Sequence, residues 1–317
     1  MKRNRVANIA FVTAIICAGA AFAAPVMGQV ENSAGQTQLV VTVQAKDARS
    51  VPLLQRNDIA AKVKNRSADI VDWAPLTDSN AGLQLVFLFD ESAHSYLSQQ
   101  IPSLTKFIEA LPPSAAVGIA YMGNGRAIMA GPMTTDHVQA AKYLRITTGI
   151  PGISGSPYFC LSDLAKHWPS QGKTLRRVVF MVTNGEDPYY QSRDTQDPYV
   201  ATAIQDSQKA GLLVYSIYFA DRGFGNQNSF RIVIGQSYLL QVADATGAEA
   251  YSIGLSSPVS FDPYLQQFRQ SLDHQYGLTL ATSGSGWQQV SVKSKISSAK
   301  LAAPKAIYAG EKEQVSR

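Results

Sequence analysis

Three runs of the chain are apolar at nearly every position: residues 83–89, 178–182 and 212–219. Short runs of this kind suit strands buried on both faces of a parallel sheet. Between them the spacing becomes helical. Tyr96, Leu97, Ile101, Leu104, Phe107, Ile108 and Leu111 fall along one face, and Pro112-Pro113 stops that helix. Residues 116–121 read as a strand. Asn124-Gly125 then reads as a tight hairpin turn, because both residue types tolerate positive φ, and 126–130 pairs back. Thr134-Thr135-Asp136 looks like a helix cap, with Val138, Ala141 and Leu144 supplying the apolar face. Further helical patterns cover 159–164, 199–209, 230–245 and 263–274, with a short strand at 250–253. The predicted order β-α-β-β-α-α-β-α-β-α-β-α implies an α/β fold with a mainly parallel, doubly wound sheet, helices on both faces and one antiparallel edge hairpin.

The flanks carry a different period. Residues 38–43 are rich in β-branched side chains, and 58–63 and 68–73 read as further short strands. After the last helix, 276–281 and 288–295 alternate across a Ser-Gly-Ser-Gly turn at 283–286. Each flank has too few strands to hold a core alone. The expectation is that 38–75 and 276–310 combine into one small β-domain, with Trp73 and Trp287 in its core.

The first residues change the reading of composition. Lys2, Arg3 and Arg5 precede an apolar run from 9 to 22, and Ala21 and Ala23 fit a small-residue cleavage site, with a second option near Gly28. This is the pattern of a secretory signal. The run is short for a membrane span, so export to the periplasm or beyond is expected, with no stable span after cleavage. The formal charge of +5 falls to +2 once those three basic residues are set aside, leaving 25 Lys and Arg against 23 Asp and Glu. That gives no warrant for nucleic-acid binding. Only Cys160 remains after the signal, so no internal disulfide is expected, and its apolar helical setting suits an inert thiol.

Candidate chemistry falls at the carboxyl ends of the apolar strands, where open α/β sheets bind ligands. Asp90-Glu91-Ser92-Ala93-His94-Ser95 follows the first run, Gly155-Ser156-Pro157 lies in a Gly/Ser-rich loop, and Thr183-Asn184-Gly185-Glu186-Asp187 follows the second run. With these motifs the layout resembles the von Willebrand factor type A family, in particular a bacterial exported branch with added β segments. The resemblance covers residues from about 38 to 310. It implies a signal peptide at 1–29, an N-terminal β segment at 30–79, the A-type domain at 80–275 and a C-terminal β segment at 276–317. In that family an Asp-x-Ser-x-Ser motif, a Thr and an Asp hold one divalent cation, and the partner supplies a carboxylate.

Here Asp90 and Ser92 match. His94 stands for the second Ser, Ser156 for Thr, and Asn184 for Asp. Asn keeps an oxygen but loses a charge, while His offers a nitrogen that suits Zn²⁺ better than Mg²⁺. The resemblance therefore implies a degenerate metal-ion-dependent adhesion site. Asp90, Ser92, Ser156 and Asn184 are its expected metal ligands, and His94 and Asp187 its ligand-binding residues. At most one cation, Mg²⁺ or Mn²⁺, is expected as cofactor. The implied function is non-catalytic binding of a protein partner; the alternative is a structural or assembly scaffold that binds without metal. Plain structural roles compete at each position: Asp90 as a helix cap, Asn184-Gly185 as a turn, Glu186 and Asp187 as a solvated loop. Tyr189 and Tyr190, beside charges at the same sheet edge, suit partner contact. No hydrolase, metalloprotease or phosphate-loop motif is present, so no enzyme is expected.

Overall fold

The structure, a computed structural model, describes residues 35–47, 50–77, 82–93, 95–150, 153–172, 174–190, 195–220, 229–254 and 257–309. The expected signal segment and His94 lie outside them.

The chain opens with β1 (Gln36–Ala45), β2 (Ile59–Val63), β3 (Arg66–Ala68) and β4 (Ile70–Pro75). The wound domain follows: β5 (Leu83–Asp90), α1 (Ile101–Glu109), β6 (Ala116–Gly123), β7 (Arg126–Met129), α2 (His137–Ala141), α3 (Pro157–Lys166), β8 (Arg176–Thr183), α4 (Pro198–Lys209), β9 (Leu212–Tyr218), α5 (Ser229–Thr246), β10 (Ala250–Tyr251) and α6 (Asp262–Asp273). Strands β11 (Gln275–Ala281), β12 (Gly286–Ser294), β13 (Ala299–Ala302) and β14 (Ala306–Ala309) complete the small domain.

The six strands of the wound domain lie in the order β10-β9-β8-β5-β6-β7, parallel except for β7. Every residue of β5, β8 and β9 is buried, as their unbroken apolar runs require. Alternate residues feed two cores. Leu85, Phe87, Phe89 and Phe180 pack against Leu104, Phe107 and Ile108 of α1 and Leu265 and Phe268 of α6. Val86, Leu88, Val179 and Met181 meet Tyr158 and Leu161 of α3, Val200 of α4 and Tyr238 of α5 on the other face. The edge hairpin turns on Asn124 and Gly125, both at positive φ, as the Asn-Gly pair predicts. Asp136 caps α2 by accepting from the Gln139 amide. The long helix expected from Tyr96 begins instead as a 3-10 segment, Ser95–Gln100, and becomes α-helical at Ile101. Pro102 has no amide to donate, which suits the first turn of a helix rather than its interior.

The flanks build two four-stranded sheets, β13-β1-β11-β4 and β14-β12-β2-β3. Leu39 and Val41 of β1 and Leu278 and Leu280 of β11 face Ala61, Val290 and Ile307 of the second sheet. Val40 points the other way, into the core of the wound domain. The first sheet is thus covered on both sides, and the second sheet has an outer face in solvent. Trp73 lies parallel to the Tyr276 ring at 4.5 Å and donates from Nε1 to the Leu54 carbonyl at 2.9 Å, in the small core as expected. Trp287 does not join it. Alternation along β12 buries Gln288 and Val290 and turns Trp287 outward, where it is 42% exposed. One residue of register decides this, because side chains on a strand change face at every step.

The small domain sits at the amino ends of the wound strands. Arg176, the first residue of β8, donates to Gln275 at the start of β11, to the Leu76 carbonyl after β4 and to the Leu272 carbonyl of α6. The carboxyl ends of β5 and β8 are at the opposite end of the sheet and carry the candidate residues.

Candidate functional site

Parallel pairing of β5 with β8 sets Phe89 opposite Val182, so Asp90 and Thr183 leave the sheet side by side. Asp90 is 3% exposed and ringed by donors. Its Oδ2 accepts from the Thr183 hydroxyl at 2.7 Å. Its Oδ1 accepts from the Ser92 amide at 2.9 Å, from the Ser92 hydroxyl at 2.6 Å and from the Ser154 hydroxyl. Three hydroxyls and an amide thereby replace the water that an ionised carboxylate loses on burial. Asp90 is the last strand residue rather than a helix cap.

A second carboxylate is held by the same two loops. Ser156 is fully buried, and its hydroxyl donates to Asp187 Oδ2 at 2.9 Å. The same oxygen accepts from the Tyr158 amide at 3.2 Å and so caps α3. Asp187 Oδ1 accepts from the Tyr189 amide at 2.8 Å. Burial lifts the Asp187 carboxyl above its ordinary range, against the Tyr189 amide, the Ser156 hydroxyl and the Tyr190 amide. The loop Ser154-Gly155-Ser156 therefore spans two carboxylates, giving one hydroxyl to each.

Asn184 turns back on its own chain, its Oδ1 accepting from the Glu186 amide at 2.9 Å. Gly185 beside it has φ +70, and an added Cβ would lie 2.5 Å from the Gly235 carbonyl of α5. The contact is reciprocal: a Cβ on Gly235 would lie 2.4 Å from the Asn184 carbonyl. In most helices Gly→Ala stabilises by about 0.5–1 kcal/mol. At Gly235 the opposing atom is backbone and cannot rotate away. Gly235→Ala is therefore expected to destabilise by about 1–3 kcal/mol, read as a lower urea midpoint; a stabilised variant would disprove the close approach. Glu186 follows in the same loop. Burial raises its carboxyl, Arg231 at 3.7 Å opposes that, and the charge of Asp90 adds to it.

The loop that brings in Ser154 and Ser156 is fixed at both ends. Glu91, also buried, binds the Arg145 guanidinium and accepts from the Thr148 amide at 3.0 Å. Arg145 lies over the Tyr121 ring at 3.8 Å. Asn124 and Gly125 donate to the Ile153 and Ser154 carbonyls, each at 3.0 Å. Thus the edge hairpin props the loop from behind.

The residues expected at the site therefore fall into two linked groups, the expected metal ligands Asp90 and Ser92, and the expected metal ligand Ser156 with the expected ligand-binding Asp187, while the side chain of Asn184 is turned onto its own loop. Sequence reasoning missed Ser154 and Thr183. Thr183 had a signal, as the polar residue closing a buried strand beside Asp90. Ser154 had none beyond membership of a Gly/Ser-rich loop. Among the described residues the donor set is two carboxylates, four hydroxyls and an amide oxygen. Such oxygens fit a hard cation such as Mg²⁺ or Mn²⁺. Among the described residues no group of three or more His, Cys, Asp or Glu is placed to hold a metal.

Around the mouth, Tyr189 is exposed and packs its ring 5.3 Å from Phe159, which meets Tyr199 at 4.8 Å. Ile146, Ile150 and Ile153 of the neighbouring loop are also exposed. Cys160 lies behind the site, and burial pushes its thiol up to about 12. It is not a nucleophile at neutral pH.

No family model matches the chain, and no curated protein matches it in sequence. Among solved structures it is similar to an aerotolerance-related membrane protein from Bacteroides fragilis, at 15% identity and a TM-score of 0.44, covering 61% of this chain and 99% of that one. It is similar to the conserved hypothetical protein BatB from Bacteroides thetaiotaomicron, at 11% identity and 0.42, covering 60% and 97%. The VWA domain of SpRpn10 gives 11% identity and 0.37, covering 60% and 97%.

Proposed function

We propose that this chain is an exported, non-catalytic protein-binding module with a von Willebrand A-like fold, whose mouth takes one divalent cation. The observation that carries the reading is Asp90: a buried carboxylate at the carboxyl end of a central strand, surrounded by hydroxyl oxygens. Asp90 and Ser92, with Ser154 and Thr183 beside them, would hold the cation from one side. Ser156 and Asn184 complete the mouth on the Asp187 side. Bound there, Mg²⁺ or Mn²⁺ would supply a positive charge able to recruit a carboxylate from the partner. The chain's own groups orient that charge, and Tyr189 with the exposed isoleucines supplies apolar contact around it.

Among the described residues the side chains suit binding better than turnover. Ser156 has a carboxylate rather than an imidazole as its hydrogen-bond partner. His137, His167 and His274 each contact a backbone carbonyl, of Ala115, Asp163 and Gln270 respectively, and none is bonded to the mouth. Calorimetric titration with Mg²⁺ and Mn²⁺ tests the cation. Saturable heat that disappears in Asp90→Ala is expected, and no heat with either ion would remove the metal from the proposal.

The engaged state of Asn184 favours a second reading, a scaffold that binds its partner without metal. The two separate on chelation: partner capture falls with EDTA under the first and is indifferent to it under the second.

A further inference from the structure

The outer face of the second sheet has no role in the mouth, and its chemistry is unusual for a solvated sheet. Ala60, Lys62, Ser67, Trp287, Gln289, Ser291 and Lys293 project from it, all exposed. Register places Lys62 opposite Ser291 and Trp287 opposite Tyr308. The four strands contain Lys62, Arg66 and Lys293 and no Asp or Glu. Lys64 stands in the turn between β2 and β3, and Lys209, the last residue of α4, lies 5.0 Å over the Tyr308 ring. Trp287 meets that ring edge-on at 5.4 Å. The nearest carboxylates along the chain, Asp58 and Asp69, lie beyond the strand ends.

We propose that this face docks on an anionic lipid bilayer, with Trp287 and Tyr308 at the headgroup level and Lys62, Lys64 and Lys293 on lipid phosphates. Two observations select a bilayer as the occupant. The face follows the nine residues of β12, about 30 Å, with β14 beside its first half and β2 and β3 beside its second, and the charged side chains of these strands are of one sign, which complements an anionic surface. An exposed Trp beside a Tyr is the side-chain pair that favours the interface between water and lipid.

The test uses the full chain with phosphatidylcholine vesicles, with and without phosphatidylglycerol, carrying bromine on the acyl chains. Trp73 and Trp168 are packed in their own cores, so quenching reports Trp287 even where the N-terminal run also inserts. Quenching with phosphatidylglycerol that disappears in Trp287→Phe is expected. In the Lys62→Glu/Lys293→Glu variant the lipid concentration for half-quenching should rise roughly tenfold or more, with the melting temperature unchanged. Three results would each overturn the proposal: no quenching; equal quenching on pure phosphatidylcholine; or binding to soluble heparin with no quenching by phosphatidylglycerol, which assigns the face to an anionic polymer.

Discussion

Arg176→Ala is expected to cost about 3–5 kcal/mol, one of the two largest losses from a single substitution in this protein. The side chain is 5% exposed and sits where three parts of the chain converge. Nε donates to Gln275 Oε1 at 2.9 Å, Nη1 to the Leu76 carbonyl at 2.8 Å and Nη2 to the Leu272 carbonyl at 2.8 Å. Leu272 belongs to the last turn of α6, where unpaired carbonyls favour a cation. Gln275 passes the contact on, donating to the Tyr215 hydroxyl at 3.2 Å, and that hydroxyl meets Thr42 at 3.3 Å. One guanidinium therefore ties β8, α6, β4 and β11 together, and its neighbours reach β9 and β1. Burial pushes its pKa down to about 10, which still leaves it charged at neutral pH. Alanine would leave three buried acceptors without their donor and open a cavity. Arg176→Met refills most of the volume but donates nothing, so its loss should be smaller than that of alanine yet above 1 kcal/mol. Urea unfolding of the two variants checks this. A loss below 1 kcal/mol in Arg176→Ala would show that the two domains are held by apolar packing alone.

The sequence revealed the sheet more readily than the mouth, for a physical reason. Burial on both faces leaves an unbroken apolar run, and residues 83–89, 178–182 and 212–219 carry that mark without help from their neighbours. Of the flanking strands, β1, β2, β11 and β12 are legible from their own pattern, whereas β13 and β14 are not and the expected strand 68–73 straddles β3 and β4 of two different sheets; the partners across the flanks are more than 200 positions apart. Gln36 pairs with Ala281 and Ile59 with Ser294, and only the shortage of strands in each flank suggested that they combine. Trp287 shows where alternation misleads: a large apolar side chain in a strand reads as core until its register is known. At the mouth, Asp90 and Ser92 could be found because strand-end position and motif coincide. Ser154 could not, because its place beside Asp90 depends on the clamp of Glu91 on Arg145 and Thr148 and on the prop from Asn124 and Gly125. No local pattern encodes a contact between residues 64 positions apart.

Asp90→Ala is expected to destabilise the protein by about 3–4 kcal/mol, because it removes the acceptor for three hydroxyls and an amide at once. Ser154 and Thr183 are almost fully sealed from water, at 2% and 0% exposure, so solvent cannot replace what they lose. Asp90→Asn separates this structural share from the share of charge. The amide keeps one acceptor oxygen but turns an NH₂ toward hydroxyls that would have to reverse, so an intermediate loss of about 1–2 kcal/mol is expected. The proposed cation gives the second axis of the experiment. A ligand that binds only the folded state at roughly 100 times its dissociation constant adds about 2.7 kcal/mol. Mg²⁺ should therefore raise the melting temperature of the unaltered protein and leave that of Asp90→Asn where it was. Thr183→Val gives a contrasting arm: it removes one hydroxyl from Asp90 without touching the charge, so it should lower stability by about 1 kcal/mol while keeping most of the response to Mg²⁺. A shift with Mg²⁺ equal in Asp90→Asn and the unaltered protein would move the cation away from Asp90. Loss of stability without any response to Mg²⁺ in all three proteins would leave Asp90 as a structural carboxylate and favour the scaffold that binds without metal.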